Sequence, residues 1–197
     1  MQCHKCLSLS ALLTVALASG CRSGPSYKLP VGGVAATDPC GLQVLATKVD
    51  TGRSNFVVVF DLANDGDNGL LVPIADLEGM WGDQVARVTV DARALRKNNT
   101  CVVPKMPGTV DQGMFEGTHW VTGSTGGMAG GEAVWIRGKS RVSGVKVTCA
   151  VPQQPGQALM VRWPRIYAGD AQGTVQATVA NNFTWSMSPV MPAESGN

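Results

Sequence analysis

The chain has 197 residues, 44% hydrophobic and 15% charged, with a formal net charge of +2. So even a balance excludes the basic excess of a typical nucleic-acid binder, and so apolar a chain is not a disordered tail. The length fits one ordinary domain and falls short of the ~250 residues of a barrel enzyme.

Residues 1–20 read MQCHKCLSLSALLTVALASG, with Lys5 in a short polar start, an apolar run over 7–18, and small residues after it. That is the charged start, apolar stretch and cleavage site of a signal peptide. The run is shorter than the ~20 residues that span a bilayer. The stretch Leu17-Ala18-Ser19-Gly20-Cys21 resembles the lipobox of bacterial lipoproteins, with Ala18 where Leu is commoner. The resemblance implies that Cys21 becomes the first mature residue and carries acyl chains that hold the protein on a membrane. Arg22 follows it, where an Asp marks inner-membrane retention in Gram-negative lipoproteins, so the implied address is the outer membrane, facing the periplasm. Ala18 and Gly20 also fit an ordinary small-x-small cleavage site, so plain secretion is the alternative.

Cys3 and Cys6 lie in the signal, which leaves Cys40, Cys101 and Cys149 beside the lipidation candidate. An oxidising compartment permits a disulfide, and three thiols form at most one. Cys149 alternates in phase with Val145, Val147 and Val151, which places it on the apolar side of a strand. Cys40 and Cys101 flank turn-like sequence and are the preferred pair, with pairing of Cys149 to either left open.

Past Cys21, residues 22–41 are rich in Gly, Pro, Ser and Ala and read as a flexible tether. The folded domain is expected over 42–188, followed by a frayed tail at 189–197. Strands are predicted over 42–49, 55–62, 70–74 and 84–91. The second contains the β-branched and aromatic run Phe56-Val57-Val58-Val59-Phe60. In the last, Ala86, Val88 and Val90 share one face and Arg87, Thr89 and Asp91 the other. Between them, Asn64-Asp65-Gly66-Asp67-Asn68-Gly69 is a turn cluster. Residues 92–97 make one helical turn at most. Cys101-Val102-Val103 precedes Pro104 as a short strand, 106–117 reads as irregular, and 123–131 as a glycine-rich mobile loop. Strands return over 132–136, 143–151, 158–166, 174–180 and 182–187. Many short strands with turn signals and almost no helical period predict an all-β fold, an antiparallel immunoglobulin-like sandwich.

Two stretches, FVVVFDLANDGDNGLLVPIADLE from Phe56 and WIRGKSRVSGVKVTCAVPQQPGQAL from Trp135, carry a loose resemblance to the immunoglobulin-like domains of bacterial envelope lipoproteins. The matching features are Asn64 and Gly66, the segment Asp76 to Glu78, Gly138 and Ser140, and Val151-Pro152, while the insertion around 123–131 departs from the pattern. The resemblance implies a non-catalytic module.

Candidate chemistry is sparse. After signal removal the one histidine is His119, with no nucleophile motif beside it. No close Cys or His pair offers zinc its four ligands, so no metal is expected. The pairs Met114 with His119 and Met187 with Met191 are too few ligands to favour Cu(I). The acids and asparagines of 61–68 miss the calcium-loop spacing and suit a solvated turn. Asp111, Glu116 and Glu132 show no spacing that demands paired-carboxylate hydrolysis. No cofactor is called for. Trp135 and Trp163 lie in strand patterns and suit a core. Trp81 and Trp120 lie near loops and are candidate surface residues, either for a protein partner or for stacking on cell-wall glycan or another small ligand. Arg137, Lys139 and Arg141 form an alternating basic stretch suited to anionic lipid, wall polymer or plain solvation. The expected function is a lipid-anchored envelope module that binds another envelope protein. Trp120 and the 123–131 loop are the first candidates for contact.

Overall fold

The computed structural model describes residues 26–105, 131–151, 153 and 156–190. Their strands are β1 (Val34–Thr37), β2 (Leu42–Thr51), β3 (Phe56–Asn64), β4 (Leu70–Pro73), β5 (Glu78–Trp81), β6 (Gln84–Asp91), β7 (Cys101–Val102), β8 (Ala133–Ile136), β9 (Ser140–Cys149), β10 (Leu159–Gly169) and β11 (Val175–Met187). A single helical turn, α1 (Arg93–Lys97), follows β6. The fold is all-β: the strands pair antiparallel in one network that does not close into a barrel.

The network folds into two facing layers because β6 belongs to both. Its first half pairs with β5, from Glu78↔Arg87 to Trp81↔Gln84. Its second half pairs with β9, from Val88↔Cys149 to Asp91↔Lys146. The first layer runs β1–β2–β3–β9–β6. The second is centred on β10, with β11 along one edge and β5 and β4 along the other, and β4 continues to β8 and β7.

Period-2 alternation decides which side chains meet between the layers. In β3, Phe56, Val58, Phe60 and Leu62 are buried, while Val57, Val59, Asp61 and Ala63 are half-buried on the outer side. Aromatic rings close the centre. Phe60 lies 5.6 Å from Trp163 and 5.1 Å from Trp185, both edge-to-face. At the opposite end of β3, Phe56 lies 5.5 Å from Trp81 in the same geometry. Each such pair adds ~0.5–1.5 kcal/mol beyond burial itself. Cys149 is fully buried, as its phase predicts. Gly79 of β5 packs so close to it that a Cβ would overlap the Cys149 side chain, which explains a glycine in mid-strand.

Four differences from the sequence expectations concern pairing rather than class. The stretch expected as a tether is folded from Ser26 onward. Tyr27 is in the core, 5.4 Å edge-to-face on Trp81, and its hydroxyl donates to the Gln157 carbonyl at 2.6 Å. Seven residues on, β1 pairs with β2 from Val34↔Ala46 to Thr37↔Gln43. At the other terminus Val190, expected in the tail, exchanges two backbone hydrogen bonds with Ser26, at 3.2 and 2.8 Å. The third difference is β5, which was not expected. The fourth is β11, one strand where two were expected. Asn182 adopts a φ of +54°, and Pro164, which has no N–H to give, lies between the pairs Trp163↔Phe183 and Arg165↔Asn181. The apparent break at Asn181-Asn182 is an irregularity that the strand passes through.

Candidate functional site

Trp81, expected at the surface, is fully buried. The reason is parity: β5 turns Gly79 and Trp81 inward and Glu78 and Met80 outward. Beyond its contact with Phe56, the Trp81 indole is hydrogen-bonded to Tyr27. It offers no face to a glycan. Trp163 is a core residue as expected, while Trp135 is half-buried against a second, smaller cluster with Leu71 and Tyr167. Trp120, His119, Asp111, Glu116, Met114, Met191 and residues 123–130 lie outside the described residues, as do Cys21 and the signal segment.

The basic stretch is exposed but locally engaged. The Arg137 guanidinium lies over the Trp135 ring at 5.7 Å. Lys139 takes a φ of +55°, forms an ion pair with Asp67 at 3.4 Å, and donates through Nζ to the Asp65 carbonyl. Arg141, exposed on β9, pairs in register with Ala63. Gly138 abuts the Asp67 backbone, so this connection is clamped to the turn after β3. That turn is organised by Asn64, which is buried. Its side chain donates to the carbonyls of Asn68 at 2.7 Å and Ile136 at 3.1 Å, and accepts from the Gly66 N–H at 2.9 Å. Asp61 accepts from the Gly144 N–H at 3.1 Å. Glu132 is held bidentately by Arg96 at 2.6 and 2.5 Å, which lowers its carboxyl below the usual range.

Two shallow clefts open on the described surface. One, of about 360 Å³, lies among Cys40, Asp67, Asn68, Leu70 and Val179. The other, of about 370 Å³, lies among Ile74, Val88, Val90, Arg96 and Glu132. Among the described residues no group of three or more His, Cys, Asp or Glu side chains could hold a metal ion.

Cys40, Cys101 and Cys149 are free thiols, so the preferred Cys40–Cys101 bridge is not formed. Cys40 lies in the β1–β2 connection against Gly66, whereas Cys101 sits in β7 opposite Val134, at the edge of the other layer. Burial, aided by Asp38, pushes the Cys40 thiol up to about 11; burial and Glu132 do the same for Cys101, and burial alone pushes Cys149 up to about 12. The nucleophile is the thiolate. At pH 8 the native Cys40 and Cys101 should therefore react with iodoacetamide ~100-fold more slowly than a free thiol of pKa ~8.5. Cys149 should react only on global unfolding, read by peptide mass mapping. The linked stability has a definite sign. A folded pKa above the unfolded value of 9.0 gives stability that is complete below pH 9 and is lost as pH rises toward 12. Cys149→Ala should flatten that alkaline loss of Tm.

Sequence reading missed an apolar row that only the strand register assembles. On the outer side of the second layer, the register places Ser186, Met160, Met80 and Val85 in one row across β11, β10, β5 and β6. Met80 and Met160 are half-buried and directly opposed, and Val85 is 52% exposed. The adjacent row is Thr184, Arg162, Glu78 and Arg87, in which Glu78 is ion-paired with Arg162. The signal for this hairpin was present: Trp81 and Gln84 are separated by Gly82-Asp83, a two-residue loop with glycine first. Gly82 takes the positive φ that such a loop requires, +59°.

No protein-family model matches the chain, and no curated protein matches it. Among the described residues no helix is long and apolar enough to cross a membrane.

Proposed function

We propose that this is a non-catalytic module of the bacterial cell envelope, anchored by lipid at Cys21, that binds another envelope protein through the outer face of β10, β5 and β6. In this reading the sandwich is immunoglobulin-like and stands on the outer membrane, facing the periplasm. The observation that carries the binding claim is the Val85–Met80–Met160 row. Two half-buried methionines side by side, next to the exposed Val85, adapt to a partner's shape. The flanking Arg87–Glu78–Arg162 ladder leaves a net positive charge, which fits a partner with an apolar centre and an acidic rim. The lipobox resemblance supports the anchor.

Two experiments test it. Labelling with a fatty-acid probe should mark the wild type and spare Cys21→Ser, and equal labelling of both overturns the anchor. A photo-crosslinking residue at Val85 should give a discrete adduct in intact envelopes that is lost in Met160→Lys. The same residue at Thr89, exposed on the first layer, should give none. Identical adducts from both positions overturn the binding face.

A further inference from the structure

The lipid anchor and the folded domain are separated by very little chain. Ser26 is hydrogen-bonded to Val190, and Tyr27 is locked under Trp81 and onto Gln157. Cys21 lies five residues before Ser26. Fully extended, those five steps span at most ~18 Å.

The attachment point is at one end of the sandwich. Trp81, which covers Tyr27, is opposite Leu159, and Leu159 is opposite Met187, so Ser26 and Val190 lie beyond the same strand ends. Phe56, in contact with Trp81, opens β3 at that end and pairs with Thr51 of β2. The connections 52–55 and 82–83 therefore share the attachment end. They expose Arg53, Ser54 and Asp83, with Lys28 beside Tyr27. The far end of β3 is Asn64, bonded to Ile136, where Lys139 and Arg137 sit. Eight residue steps of β3 separate the ends by ~26 Å.

Resting on the anchor reading above, we infer that the domain stands upright on its membrane. The end bearing Arg53, Ser54, Asp83 and Lys28 meets the lipid headgroups, and the basic Arg137–Arg141 connection points away from them. The leash is too short for the domain to invert. Arg53 and Lys28 offset the exposed Asp50 and Asp83 at that end, so it carries no net charge for anionic headgroups to repel. In that stance Arg137, Lys139 and Arg141 lie ~26 Å along β3 from the attachment end, on the side away from the headgroups. The outer face of β10, β5 and β6 then stands perpendicular to the membrane plane and is open to a neighbour.

The test uses the lipidated full-length protein in vesicles of phosphatidylethanolamine and phosphatidylglycerol doped with a lipid carrying a nitroxide on its headgroup. A noncanonical residue bearing a small fluorophore replaces Ser54 in one sample and Lys139 in another. Quenching at position 54 should be at least fivefold that at position 139. Inserting twenty Gly and Ser residues between Arg22 and Ser23 should shrink the difference to less than twofold. Equal quenching at the two positions, in protein whose mass shows the acyl chains, overturns the orientation while leaving the anchor standing. A wild-type mass without acyl chains overturns both.

Discussion

Replacing Trp81 with Ala should cost ~3–5 kcal/mol of stability, the range for removing a buried large aromatic. In urea this would appear as a lower midpoint with an unchanged slope. The size of the effect follows from what the ring holds. Trp81 is fully buried between Phe56 of the first layer and Tyr27 of the N-terminal segment. Its loss empties the contact between layers and loosens the segment that ends at Ser26. Proteolysis should then cut near Tyr27 at temperatures where the wild type resists. A surface tryptophan, as the loop-like surroundings of residue 81 suggest, would cost within ±0.5 kcal/mol, so this substitution separates the two descriptions cleanly.

The second large effect is expected at Asn64. Asn64→Ala removes two donors and one acceptor at a buried position and strands the carbonyls of Asn68 and Ile136 and the amide of Gly66. An unsatisfied buried polar group costs ~1–3 kcal/mol, and part of the turn can turn to water, so a total loss of ~2–4 kcal/mol is expected. Asn64→Asp keeps the acceptor but aims carboxylate oxygen at two carbonyls. Its folded pKa must rise, so its stability is greatest below the unfolded carboxyl pKa of ~3.9 and is lost as pH climbs through the folded value. Thermal melts of both variants at pH 3.5 and pH 7 check this. The Ala variant should show the wild-type pH dependence, and the Asp variant should fall further behind at pH 7.

What was legible in the chain is what repeats with period 2. Strand β6 was readable from Ala86, Val88 and Val90, and the inward side of β9 from Cys149 in phase with its valines, because one strand's own sequence carries its parity. Trp81 was misread because its parity belongs to β5, four residues long, containing a glycine and no β-branched side chain. Its burial depends on Phe56 and Tyr27, which no local window contains. Tyr27 itself was hidden by composition. A Gly- and Pro-rich stretch reads as solvated chain, yet the hydroxyl finds its acceptor 130 residues away. The Met80–Met160 row was invisible for the same reason: each methionine sits in an unremarkable outward position, and only the register of β10 against β5 brings them together. The break expected between 180 and 182 does not occur: Asn tolerates positive φ, and Asn182 uses that freedom inside a continuous strand.

The pairing of Ser26 with Val190 has a consequence in time rather than in space. The Trp185 indole N–H bonds the Val34 carbonyl, 151 residues earlier in the chain, at 3.0 Å. Strand β3 waits for β9, and β4 and β5 wait for β10. No N-terminal half can close a core by itself, so a growing chain stays open until its last strand emerges. Topologies so dominated by distant contacts fold in milliseconds to seconds rather than microseconds. The first layer can pair fully once β9 has emerged, but its inner face stays uncovered until β10 and β11 follow, so the two layers come together only at the very end of the chain.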